Sequence, residues 1–174
     1  DFHQALARSF MRGQWQNEAA RQAPGAPVSE EAKGVYGPKP GGAAHLWPWP
    51  LVRAHLDRSI EAVPESFTAR RSLLFNNPGL AKGTTTSINM GVQLIRPGEL
   101  AWAHRHSIAA LRFVIAGNTG LHTIVNGERC PMETNDLVLT PAWTWHDHHN
   151  DDAREGVWLD VLDGRSEEHT SELQ

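Results

Sequence analysis

A single cysteine, Cys130, stands among 174 residues, which excludes an internal disulfide and fits a reducing, cytoplasmic setting. Cys130 itself reads as a small apolar filler in a strand. No apolar run approaches the ~20 residues that a membrane-spanning helix requires, so no membrane partner is expected. The opening DFHQALARSFMRGQWQ is broken by charges and does not read as a signal peptide. It also lacks an initiator Met, so the natural N-terminus is expected upstream. Lysine and arginine form no dense block and the formal charge is −4, which argues against a nucleic-acid partner. A chain of this length builds one core that buries roughly 70% of its unfolded surface, so two full domains are not expected. What the sequence does have is ten histidines and seven tryptophans, and half of the histidines fall in two patches.

Organisation changes along the chain. Residues 1–23 read as a helix with Phe2, Leu6 and Phe10 on one stripe. The Pro- and Gly-rich APGAPVSEEAKGVYGPKPGGAA that follows reads as an extended surface arm, anchored by Trp47 and Trp49 of HLWPWP. A second helix is expected from Leu51 to about Val63, started by Pro50 and stopped by Pro64. From Arg71 onward short apolar segments alternate with turn signals such as NNPG, RPGE and Asn126-Gly127, the pattern of an antiparallel barrel or sandwich. Three regions result: an arm over 1–70, a barrel over 71–164, and a tail over 165–174. That tail, RSEEHTSELQ, is polar and aperiodic and matches what a common sequencing-adapter oligonucleotide encodes. It is read as non-native, His169 included, and the natural chain is expected to continue beyond Gly164.

The two histidine patches are LAWAHRHS, residues 100–107, and TWHDHHN, residues 144–150. In a strand, residues two apart share a face, so His104 and His106 project together while Arg105 faces away. On a later strand the same period puts His146 and His148 on one side and Asp147 and His149 on the other. His104, His106 and His146 make a facial set of three neutral ligands for a mononuclear metal ion, with about three positions open on an octahedral ion. Three imidazoles alone also suit zinc, manganese or nickel. Arg112 is a charge inside the apolar ALRFVI and needs an anion, either a bound ligand or a buried acid such as Asp160. His122 reads as a strand surface residue and His149 as solvent-facing. Trp102, Trp143, Trp145 and Trp158 read as core aromatics.

Spacing and text then carry a family resemblance. Gly98, His104, His106 and Gly117 resemble the first motif of the cupin superfamily, and Pro141, His146 and Asn150 its second. Three positions depart: Ala110 stands where an acidic fourth ligand is expected, and Asn135 and Trp143 stand where glycines are. The segments RRSLLFNNPGL, GVQLIRPGELAWAHRHSIAALRFVIAGNTG, LVLTPAWTWHDHHND and WLDVLD are similar to the N-terminal half of the gentisate 1,2-dioxygenase family.

The resemblance implies a double-stranded β-helix (jelly-roll) barrel, with a second cupin half missing from this chain. It implies Fe(II) on His104, His106 and His146, an aromatic acid and dioxygen as substrates, and a homo-oligomer for the full-length enzyme. Arg112 matches the position that recognises the substrate carboxylate. Gln93 and His148 match pocket positions, the first to hydrogen-bond substrate oxygens, the second to accept a proton or orient oxygen. Asp160 is expected to hold one of these groups in place. Gentisate opening to maleylpyruvate is the leading activity, salicylate or 1-hydroxy-2-naphthoate being alternatives. A metal-bound cupin that binds a small acid without turnover remains the reading outside catalysis. An exposed apolar patch would mark the docking face of a missing half.

Overall fold

Eleven strands, numbered in chain order, form two antiparallel sheets in a computed structural model that describes residues 2–13, 42–62, 71–163 and 171–173. The six-stranded sheet has the order β1-β2-β3-β10-β5-β8, from Met11–Gly13 (β1), Arg71–Phe75 (β2), Ile88–Ile95 (β3), Gly156–Asp163 (β10), Ala110–Ala116 (β5) and Leu137–Thr140 (β8). The five-stranded sheet has the order β11-β4-β9-β6-β7, from Ser171–Leu173 (β11), Leu100–His106 (β4), His146–Asn150 (β9), Asn118–Val125 (β6) and Glu128–Met132 (β7). Facing one another, they make the jelly-roll barrel that the resemblance implied, within the antiparallel class that the segment pattern predicted, and neighbours distant in sequence, such as β3 and β10, close it.

Two cores hold it. Inside, Ile95, Val114, Leu121, Met132, Val138 and Trp158 pack between the sheets, with Cys130 partly buried against them. Outside, the back of the six-stranded sheet is covered by α1 (Phe2–Arg8) and α2 (Trp49–Ala62), whose Leu6, Val52 and Leu56 meet Leu73, Val92 and Leu94. β2 therefore buries both faces, which explains why RSLLF is buried at every position and ends in an apolar run. At the β8 end the cover stops. Leu137 and Leu139 are 58% and 62% exposed, beside Phe113 and Leu111 in register, which makes an apolar outer patch.

α1 is shorter than the spacing predicts. It ends at Arg8, the amides of Ser9 and Phe10 close tight turns onto Leu6 and Ala7, and the chain becomes β1; residues 14–23 lie outside the described residues. Phe10 leaves the stripe because its φ is +53°, and its ring meets the edge of His45 instead of the core. Of the two expected anchors only Trp47 serves, stacking on Phe75 at 5.0 Å and donating its indole N–H to the Phe10 carbonyl; Trp49 is exposed. α2 begins at Trp49 and ends at Ala62, close to its expected limits. Of the expected extended arm, residues 23–41 lie outside the described residues. Ser171–Leu173, within the tail, adds a short strand to the edge of β4, where backbone pairing needs no side-chain pattern. No helix among the described residues is long and apolar enough to cross a membrane.

Two turns keep left-handed backbone at unusual residues. Asn135 has φ +76° and Trp143 φ +63°, so both positions where the motif expects glycine retain the conformation glycine favours. The hairpin between β6 and β7 turns on Asn126 and Gly127 at φ +49° and +89°, as the dipeptide predicts.

Candidate metal centre

β4 and β9 lie side by side and each carries part of the site. Leu100 faces His149 and Ala101 faces His148, but a bulge then shifts the register by one residue and sets His104 opposite His146. His104 and His106 are half-buried and His146 is buried, and the ligand-capable atoms of the three lie within 4.8 Å of one another. Ring centroids are 4.3 Å apart for His104 and His146, 4.8 Å for His106 and His146, and 5.7 Å for His104 and His106.

Each ring is oriented by the backbone. Nδ1 of His104 donates to the Trp102 carbonyl at 2.9 Å, Nδ1 of His106 to Ile108 at 2.7 Å, and Nδ1 of His146 to Thr144 at 2.9 Å. A carbonyl can only accept, so in every ring the proton sits on Nδ1 and the lone pair on Nε2. His146 Nε2 is buried and has no hydrogen-bond partner among the described residues. A cation at the shared point would satisfy that orphaned atom, and fixed Nδ1 protons are how ligand histidines are held. Burial, foremost, keeps these rings neutral: it lowers His104, takes His106 down to about 4 and His146 further still, with the positive charge of Arg112 adding to each. The donor set thus fits a first-row divalent ion that accepts imidazole. Ala110 is buried and supplies no carboxylate, and the cluster contains none.

Around the imidazoles stand the other sequence-predicted residues. Arg112 on β5 and Asp160 on β10 are register partners, both buried, with Arg112 Nε 3.1 Å from an Asp160 carboxylate oxygen. Burial raises the Asp160 carboxyl and lowers the Arg112 guanidinium, while each charge opposes the other's shift. Arg112 also donates to the Thr140 hydroxyl, a partner that sequence reasoning missed because Thr140 reads as an ordinary strand end. His148 is buried with its pKa well below the usual histidine value, chiefly through desolvation and then through Arg112. Gln93 is buried on β3, and its amide nitrogen has no partner among the described residues.

Other expectations need correction. His122 is not a surface residue: it is 5% exposed, its ring stacked on His149 at 4.9 Å and 6°, with Arg129 beside it. His149 faces outward but is half-buried, 3.4 Å from Asp147. Trp102 and Trp143 are exposed, Trp145 is half-buried, and Trp158 alone of the four is fully buried. Trp143 and Trp145 instead flank Arg105, whose guanidinium carbon lies 4.8 Å and 4.9 Å from their ring centres.

Known proteins resemble this chain in sequence and in fold. Residues 91–162 match the cupin domain family. The chain is 42% identical over 167 residues, 93% of its length, to a 1-hydroxy-2-naphthoate 1,2-dioxygenase from Nocardioides sp. (strain KP7), of which it covers 40%. It is 46% identical over 129 residues, 72% of its length, to gentisate 1,2-dioxygenase 1 from Aquipseudomonas alcaligenes, of which it covers 37%. A crystal structure of salicylate 1,2-dioxygenase from Pseudoaminobacter salicylatoxidans with gentisate superposes with a TM-score of 0.72 at 31% identity, over 98% of this chain and 46% of that one. The chain therefore spans about two fifths of the length of these curated relatives. The three-histidine centre lies inside the matched cupin segment, and the chain is similar in sequence and fold to the gentisate 1,2-dioxygenase family of cupins.

Proposed function

We propose that the chain carries the catalytic cupin of an iron(II) dioxygenase that opens gentisate to maleylpyruvate in the cytoplasm, as part of a homo-oligomeric enzyme when full length. The observation that carries this is the set of three backbone-fixed imidazoles with convergent Nε2 atoms and no carboxylate among them. Such a centre leaves positions for a chelating acid and for dioxygen. When bound, iron(II) would supply chelation of the acid and an electronic path between ring and oxygen. Cleavage between the carbons bearing the carboxyl and the adjacent hydroxyl incorporates both atoms of dioxygen and leaves nothing over.

The protein's own groups supply binding and proton handling. Arg112 is charged and buried, and its field reaches all four inward imidazoles, so it favours an anion in the site; Asp160 and Thr140 hold its direction. Gln93 offers an unpaired amide to substrate oxygens. His148 is neutral and its Nδ1 unpaired among the described residues, so it can take the phenolic proton of the acid. The names of the relatives, gentisate, salicylate-type and hydroxynaphthoate dioxygenases, support the same chemistry on a neighbouring acid.

Anaerobic loading with Fe(II), followed by oxygen-electrode traces on gentisate, salicylate and 1-hydroxy-2-naphthoate, tests the reading. One dioxygen consumed per acid, fastest with gentisate, is expected. Binding of the acids without oxygen uptake would assign the chain to the non-catalytic cupins instead.

A further inference from the structure

Where the site meets the inner core, three buried polar groups face one another. Gln93 on β3 and Trp158 on β10 are register partners on the inward face of the six-stranded sheet. His148, from the opposite sheet, packs its ring on the Trp158 indole at 5.1 Å and 49°. All three are buried, at 4%, 0% and 2% exposure, yet Gln93 Nε2, Trp158 Nε1 and His148 Nδ1 have no hydrogen-bond partner among the described residues. Native interiors rarely keep such atoms unless something else completes them.

A donor count shows what is missing. Gln93 and Trp158 bring N–H groups, and the Asp160 carboxylate, which lies 3.1 Å from Arg112 Nε as an ion pair, hydrogen-bonds neither of them. The Trp158 N–H lies close enough to draw the Asp160 carboxyl back down, against the rise that burial imposes, without reaching bonding geometry. An indole nitrogen is a donor only, so the group that completes it must be an acceptor. The orphan also stands beside His148, at the edge of the imidazole cluster.

We propose that Trp158 is a substrate-binding residue, its indole N–H donating to an anionic oxygen of the aromatic acid beside His148. The proposal rests on the reading of the site as an aromatic-acid centre. It separates Trp158 from the other inner-core residues: its ring packs the floor of the site, and its nitrogen selects for an acid.

Trp158→Phe keeps the ring that packs on His148 and deletes the N–H. Calorimetric titration of salicylate into the Zn(II)-loaded protein, where no turnover occurs, should show binding weakened roughly ten- to hundredfold, the range of one hydrogen bond to a charged group. Metal content and circular dichroism should match the parent. Unchanged salicylate affinity in a folded, metal-replete variant overturns the proposal.

A second measurement needs no variant. Among the indole N–H resonances of the seven tryptophans, one that is protected from solvent should move downfield when salicylate is added to the Zn(II)-loaded protein. If none moves on saturation, the proposal is overturned, whatever the variant does. Salicylate binding with the indole shift but no oxygen uptake from the Fe(II) protein would leave this inference standing and sink the dioxygenase reading. Oxygen uptake with an unmoved indole would do the reverse.

Discussion

The two faces of β9 carry histidines in opposite circumstances. Inward, His146 and His148 are buried among other imidazoles and Arg112, and desolvation holds them neutral. Outward, His149 stacks on His122 with Asp147, Asp151 and Arg129 close by. His146, like His104 and His106, has its Nδ1 proton fixed by a carbonyl and its Nε2 turned toward one point, whereas the outer rings lie flat against each other. Residue type is the same on both faces; what makes a metal site is convergence of lone pairs in a place where protons are excluded.

Substitution should break this contrast most sharply at His146. His146→Ala removes the only fully buried member of the triad and is expected to weaken metal binding at least about a hundredfold, the upper range seen even for residues that merely support ligands. Metal content after dialysis and oxygen uptake would both register it, and retention of metal near the parent level would contradict the assignment.

Acidity comes next in size. The inner rings have folded pKa values below the usual 6.5, with His106 at about 4. Below pH 6.5 the unfolded chain takes up protons that the folded site refuses, so the metal-free protein should lose stability as pH falls from about 6.5 toward 4. Urea titrations across that window should show the midpoint falling with pH. A metal-free midpoint independent of pH would mean that the inner rings are not held neutral.

The smallest effect belongs to the outer face. His149→Gln removes one ring of the stacked pair and is expected to cost about 0.5–1.5 kcal/mol, the range for an aromatic contact, with metal content unchanged. Loss of metal in this variant would erase the distinction between the faces.

Much of this was readable from spacing. The HRH triplet and the later HDHHN, read with a period of two, put His104, His106, His146 and His148 on the inner side, and the barrel followed from turn signals such as Asn126-Gly127. Other features depend on contacts that sequence does not carry. The stripe through Phe10 looks helical until one sees a ring drawn out to His45. The outer His122 is covered through neighbours on β7 and β9, brought together only by sheet order. Likewise, nothing in TPAWTW marks Trp143 and Trp145 as the two sides of a clasp on Arg105.

The extra residue in β4 between Ala101 and His104 puts the two halves of that strand in opposite phase. Were the Ala101 register continued unbroken, Ala103 would stand opposite His146, both ligand rings would turn to the outside, and the Arg105 guanidinium would come to the place where a cation should bind. One step of register thus separates a metalloprotein from a barrel that repels metal, and the bulge is what lets a single strand turn both Ala101 and the two histidines of the HRH triplet inward.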